Sequence, residues 1–153
     1  KNENLKKFFW TSLNKLVKIK YDLNHTAAVD KYSELCKIIL QDDKIENFQR
    51  YSNNIYTIDL KRLPNKLDDY RGKWGFFYQF DISKIKEIQK YINKKFQTLT
   101  YFGFSKKELN NFIFDNKIDG IDRIVPIGQA LDIDFYWDGY DINKILSRIV
   151  DVR

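Results

Sequence analysis

The feature that most restricts this chain is an apolar period that switches back and forth along its middle. Phe76-Phe77-Tyr78-Gln79-Phe80 is an apolar run of strand length, Ile82, Ile85, Ile88 and Ile92 recur at helical spacing, and Thr98 to Phe104 is again β-prone. Ser105-Lys106-Lys107-Glu108 then reads as a capping box, in which serine and glutamate each satisfy an amide at a helix start. It opens a helix carrying Leu109, Phe112 and Ile113. Gly120 follows, and Ile121 to Ile127 supplies a further strand. Parallel strands need a crossover element between them, so this alternation predicts an α/β fold with a mostly parallel sheet flanked by helices.

Two helices are expected before it. Leu5, Phe8, Phe9, Leu13, Leu16 and Val17 give residues 2 to 20 an amphipathic pattern with lysines on the other face. A second helix is expected from about Thr26, with Val29, Tyr32, Leu35, Cys36 and Ile39 as its buried stripe. Gln41-Asp42-Asp43 is a candidate break before Ile45 and Phe48. Ile55 to Leu60 alternates and is rich in branched residues, which reads as a strand, and a loop around Pro64-Asn65 and Asp68-Asp69-Tyr70-Arg71-Gly72 follows. A last helix after Asp141 is expected to bury Ile142, Ile145, Leu146 and Ile149. With 153 residues and no repeat or low-complexity linker, a single domain over 1–153 is expected.

Charge and cysteine usage narrow the function classes. The formal net charge is +6, which raises a polyanionic partner, yet the basic clusters are only pairs such as Lys6-Lys7, Lys94-Lys95 and Lys106-Lys107 among acids. Neither a helix-turn-helix nor an aromatic RNA-binding signature is present, so a nucleic-acid partner is not expected. Cys36 and His25 are each the sole residue of their type, which removes disulfides and zinc sites of the Cys/His kind and favours a reducing, cytoplasmic setting. No stretch has the length of a membrane span. The chain has no Met, and Lys1 is expected not to be the natural start.

The most specific segment is Gly120-Ile121-Asp122-Arg123-Ile124-Val125-Pro126-Ile127-Gly128-Gln129-Ala130-Leu131-Asp132, because ligands of open α/β sheets collect beyond the carboxyl ends of strands. Arg123 is a phosphate clamp or an internal ion-pair partner of Asp122; Gly128 allows a close backbone approach or serves a turn. Trp137-Asp138-Gly139-Tyr140 either lines and closes an apolar tunnel or forms a turn that buries the indole. Cys36 sits on an apolar stripe and reads as a small core residue rather than a thiolate nucleophile. No GxGxxG or GxxxxGK[ST] phosphate loop occurs.

From about Phe76 onward, Phe77-Tyr78-Gln79-Phe80, Gln97-Thr98-Leu99-Thr100-Tyr101-Phe102-Gly103, the Gly120 to Leu131 segment, Trp137-Asp138-Gly139 and Leu146-Ser147-Arg148 occur in the order of a known pattern. The chain resembles the C-terminal region of the luminescence-type (LuxC-type) acyl-CoA reductases of the aldehyde dehydrogenase superfamily. The resemblance implies part of an aldehyde-dehydrogenase-like catalytic domain and a cysteine thiolate that attacks acyl-CoA to give a thioester. Hydride from NADPH would then release a fatty aldehyde. It further implies a homo-oligomer and an acyl-protein synthetase as partner. In that family the cysteine lies upstream of the first helix here, so no catalytic residue is assigned to this chain. Arg123, Gly128, Gln129, Trp137 and Asp138 are its expected pocket or closure residues. The competing reading is a non-catalytic interaction domain that binds a protein or polyanion through its basic, aromatic-rich surface.

Overall fold

The structure, a computed structural model, describes residues 3–153 and is mixed α/β. Within it the chain divides into two compact units, Lys1–Ile82 and Ser83–Arg153. The expected mostly parallel sheet is met in part, by two parallel strand pairs. Strands pair only as a three-stranded, a two-stranded and a second two-stranded sheet. The sequence periods specify strands and crossovers, but they do not specify which strands share one sheet.

In the first unit, α1 (Glu3–Lys20) and α2 (His25–Gln41) precede β1 (Ile45–Arg50), β2 (Tyr56–Leu60) and, after a 3-10 turn at Leu67–Asp69, β3 (Phe76–Gln79). The position at Asn2 expected to begin α1 lies outside the described residues. β2 is central, antiparallel to β1 and parallel to β3, with Tyr56 opposite Phe76 and Ile58 opposite Tyr78. Side chains alternate across it. One face supplies Tyr56, Ile58, Leu60 and Phe76, which close on Leu35 of α2 as the core. The other face receives α1. There Lys6 pairs with Asp59 at 3.5 Å and Asp81 at 3.2 Å, Trp10 donates to Gln79 at 2.9 Å, and Asn14 donates to the Tyr51 carbonyl at 3.2 Å.

Both N-terminal helices therefore turn a different face inward than apolar counting predicts. On α1, Leu5, Phe8 and Leu16 are exposed while Asn14 is buried, because polar side chains of this helix find partners on the sheet. On α2, Lys31 and Leu35 are buried, whereas Val29, Tyr32 and Cys36 of the expected stripe are exposed. Cys36 is thus not a core residue. α2 stops where Asp42 takes over, accepting from the Lys44 amide at 3.0 Å and from the Tyr70 hydroxyl, and Ile45 and Phe48 then enter β1.

The second unit begins with a 3-10 stretch at Ile85–Tyr91 in place of the expected α-helix. Ile82, Ile85 and Ile88 stand strictly three apart, which suits three residues per turn. β4 (Thr98–Tyr101), α3 (Lys106–Asp115) and β5 (Arg123–Pro126) form a parallel pair with its crossover helix, Thr98 opposite Arg123. Leu109 and Phe112 of α3 are buried. The capping box forms as expected: Ser105 Oγ accepts from the Glu108 amide at 3.3 Å, and Glu108 accepts from the Ser105 amide at 2.8 Å. β6 (Tyr136–Trp137) and β7 (Tyr140–Asp141) make a hairpin, and α4 (Ile142–Leu146) starts after Asp141 as expected, with Asp141 as its cap. It ends after five residues, and Ile145, Leu146 and Ile149 are exposed rather than buried. So short a helix needs a packed face to extend, and beyond the half-buried Ile142 its apolar side chains are exposed. No helix among the described residues is long and apolar enough to cross a membrane.

Candidate functional site

Of the five residues singled out in the sequence, two meet side by side. The Arg123 guanidinium at the start of β5 lies 4.2 Å from the Trp137 ring centroid and donates to the carbonyls of Ala130 at 3.3 Å and Asp132 at 2.9 Å. These partners are two main-chain oxygens and an indole; Asp122 is not among them. Planar geometry and several donors let one arginine stack on an indole and hold two carbonyls at once. Between these contacts the chain turns at Gly128, with φ of 92°, and Gln129 donates its amide to the Pro126 carbonyl at 3.1 Å.

Asp138 and Gly139 have φ of 48° and 79°, so the Trp-Asp-Gly element is a two-residue hairpin turn of the type that matches strand twist. The turn alternative is the one realised. Asp138 acts through its backbone, and Gly128 and Gln129 are exposed. A Cβ on Gly139 would stand 3.0 Å from Asp122 Oδ1, so the hairpin tip lies against the residue that precedes β5. Asp122, Arg123, Trp137 and Gly139 together lock the segment 122–141 into one clasp.

A dinucleotide needs free backbone amides at a helix start facing its pyrophosphate. The start of α3, the crossover helix of the parallel pair, is filled by its own box, and hydrogen bonding from Ser105 holds the Glu108 carboxyl below its usual range. A carboxylate therefore stands where a pyrophosphate would go. Asn24 caps α2 in the same way, accepting from the Ala27 amide at 3.1 Å. The starts of α2 and α3 therefore offer no pyrophosphate cradle for NADPH. Among them no group of three or more His, Cys, Asp or Glu side chains could hold a metal ion.

A buried polar arrangement that was not anticipated lies in the first unit. Lys31, 2% exposed, donates to the carbonyls of Asn53 at 2.9 Å, Asn54 at 2.8 Å and Trp74 at 2.8 Å, with its Nζ 4.3 Å from the Tyr56 ring centroid. Burial, then the charge of Arg50, pushes this ammonium down to about 8, while the three carbonyl oxygens favour its charged form. An ammonium has three donors, and all are used. Lys31 is thus a tie between two turns and not a nucleophile. Gly75 permits the approach: its φ is 77°, and a Cβ there would meet the Asn54 carbonyl oxygen at 2.1 Å. The only advance signal was a lysine four residues before Leu35 on the same helix face.

Two cavities flank this tie. One, of about 350 Å³, is charged and includes Asp30, Glu34, Arg71 and Lys73 in its walls. The other, of about 500 Å³, is apolar and lies between Leu13 and Val17 of α1 and Ile55, Trp74 and Phe77. Neither includes any of the five residues singled out in the sequence. No protein-family model matches this chain, and no curated protein or solved structure matches it either.

Proposed function

We propose that this chain is the post-nucleophile part of an NADPH-dependent acyl-CoA reductase that makes a fatty aldehyde in the cytoplasm. The β4-α3-β5 unit would then belong to an aldehyde-dehydrogenase-like catalytic domain. The observation that carries the reading is the mutual locking of the motif elements. The Arg-Ile-Val-Pro-Ile-Gly and Trp-Asp-Gly segments, which carry the resemblance, meet through Arg123 and Trp137 and through Asp122 and Gly139. That contact gives a physical reason for the two elements to occur together. In this reading Arg123, Gly128, Gln129, Trp137 and Asp138 shape a rigid border of the acyl pocket, and the thiolate and the nucleotide site come from other parts of the protein.

The test is NADPH oxidation with a long-chain acyl-CoA, run on the complete gene product beside this chain. Activity in the complete protein and none in the chain is the expected result. Inactivity of both across several chain lengths would move the assignment to a non-catalytic interaction domain, and steep weakening of binding with salt would mark a polyanion as its partner.

The same reading includes a homo-oligomer, with an acyl-protein synthetase as a further partner. The outer row of α1, Leu5, Phe8 and Leu16, is exposed and apolar, which favours association. Sedimentation of the chain is expected to show concentration-dependent self-association that Phe8→Ser with Leu16→Ser removes. A strictly monomeric profile over a wide concentration range would contradict this.

A further inference from the structure

We propose that the apolar slot beside α1 is a binding site for an alkylammonium ligand, with the alkyl chain along the slot and the cation at its Asp22 end. This inference rests on the first unit alone and is independent of the reductase reading. Leu13, Val17 and Tyr21 follow one another at four-residue intervals, and the Tyr21 amide continues the helical turn by donating to the Val17 carbonyl at 2.9 Å. At the rise of an α-helix these three side chains span about 12 Å, so the wall is long and straight. Ile55, Trp74 and Phe77 form the facing wall. A volume of about 500 Å³ lies within the ordinary range of small-molecule pockets, and an unbranched chain suits an elongated apolar slot.

Charge selects the head group. Among the residues that line the slot, Asp22 is the only one with a formal charge. It stands just past the end of α1, where the last carbonyls of the helix place partial negative charge. Tyr21, Trp74 and Phe77 add aromatic surface, which attracts a cation and repels an anion. The nearest buried cation, Lys31, lies behind Gly75, with its Nζ 3.8 Å from where a Cβ on that glycine would stand, and its three carbonyl partners face its charge. Lys18 and Lys20 of the last helical turn are exposed and outside the lining. The slot thus combines an apolar body with one negative end.

Calorimetric titration of the chain at low salt with decylammonium, decanol and decanoate tests the assignment, since the three share a body and differ in the head. Decylammonium is expected to bind about tenfold more tightly than decanol, from the summed helix-end, carboxylate and ring contributions, with decanoate weakest. Each methylene removed from the amine should weaken binding by up to about fourfold. Asp22→Asn should bring the amine down toward the alcohol and leave the alcohol unchanged. Val17→Trp, which fills the slot, should abolish binding of all three; Leu23→Trp serves as a second filling variant, and thermal unfolding identifies the variants that are folded. Absence of binding by the unaltered chain would overturn the proposal. So would decanoate binding as tightly as decylammonium, an amine preference that survives Asp22→Asn, or full binding by a folded, filled variant. None of these readouts depends on reductase activity.

Discussion

Lys31→Met is expected to destabilise the first unit by about 3 kcal/mol, the net of orphaned buried acceptors against the apolar burial that methionine restores. Methionine approximates the length of the lysine stem, so the change removes the ammonium and little else. Three carbonyls, those of Asn53, Asn54 and Trp74, then lose a charged donor at 2.8–2.9 Å. Two of them belong to the turn that leads into β2 and the third to the turn that leads into β3, so the parallel pair loses the tie at its entrance. Urea unfolding of the chain measures the effect, and a loss below about 1 kcal/mol would mean that the tie is energetically neutral. Gly75→Ala forces apart the same two turns. The double variant should therefore lose less than the sum of the single losses, as expected for residues that share one arrangement.

The second large effect is expected at Ile58, which is 0% exposed on the central strand, in the cluster with Leu35 and Phe76. Ile58→Ala removes buried carbons from a site enclosed by the sheet and α2, so most of the resulting space persists as a cavity. A loss of about 2–5 kcal/mol follows from measured costs of such truncations, and Ile58→Val should lose about 1 kcal/mol. Leu131, at 87% exposure, is the control; Leu131→Ala should change stability by less than about 0.5 kcal/mol. Comparable losses at 58 and 131 would contradict the core assigned here.

Local signals were the legible part of this fold. The Ser105-Glu108 box and the Asp141 cap act within one turn, and the Asp138-Gly139 pair sets its own dihedrals, so each could be read from neighbouring residues. The strands at 56–60, 76–79, 98–101 and 123–126 were legible from their short apolar runs. Helix orientation was not. The inward faces of α1 and α2 depend on polar partners distant in sequence, such as Gln79 for Trp10 and Asn53 for Lys31, and a scan of hydrophobicity treats a lysine as solvent-facing.

The candidate site divides the same way. Arg123 and Trp137 were both identifiable, but their contact depends on the turns at 128 and 138 bringing the two segments together. Gly128 and Asp138 serve as turn residues, and the cavities formed elsewhere because they depend on how α1 and α2 lie on the sheet.

The clasp at Arg123 also bears on how this segment can change over generations. Its guanidinium is divided among an indole and two main-chain oxygens, so only the indole partner can be altered by substitution. Positions 123 and 137 should accordingly vary together among descendants of a common ancestor. Ala130 and Asp132 can change side chain freely, since what they contribute to the arginine is a peptide oxygen that every amino acid carries.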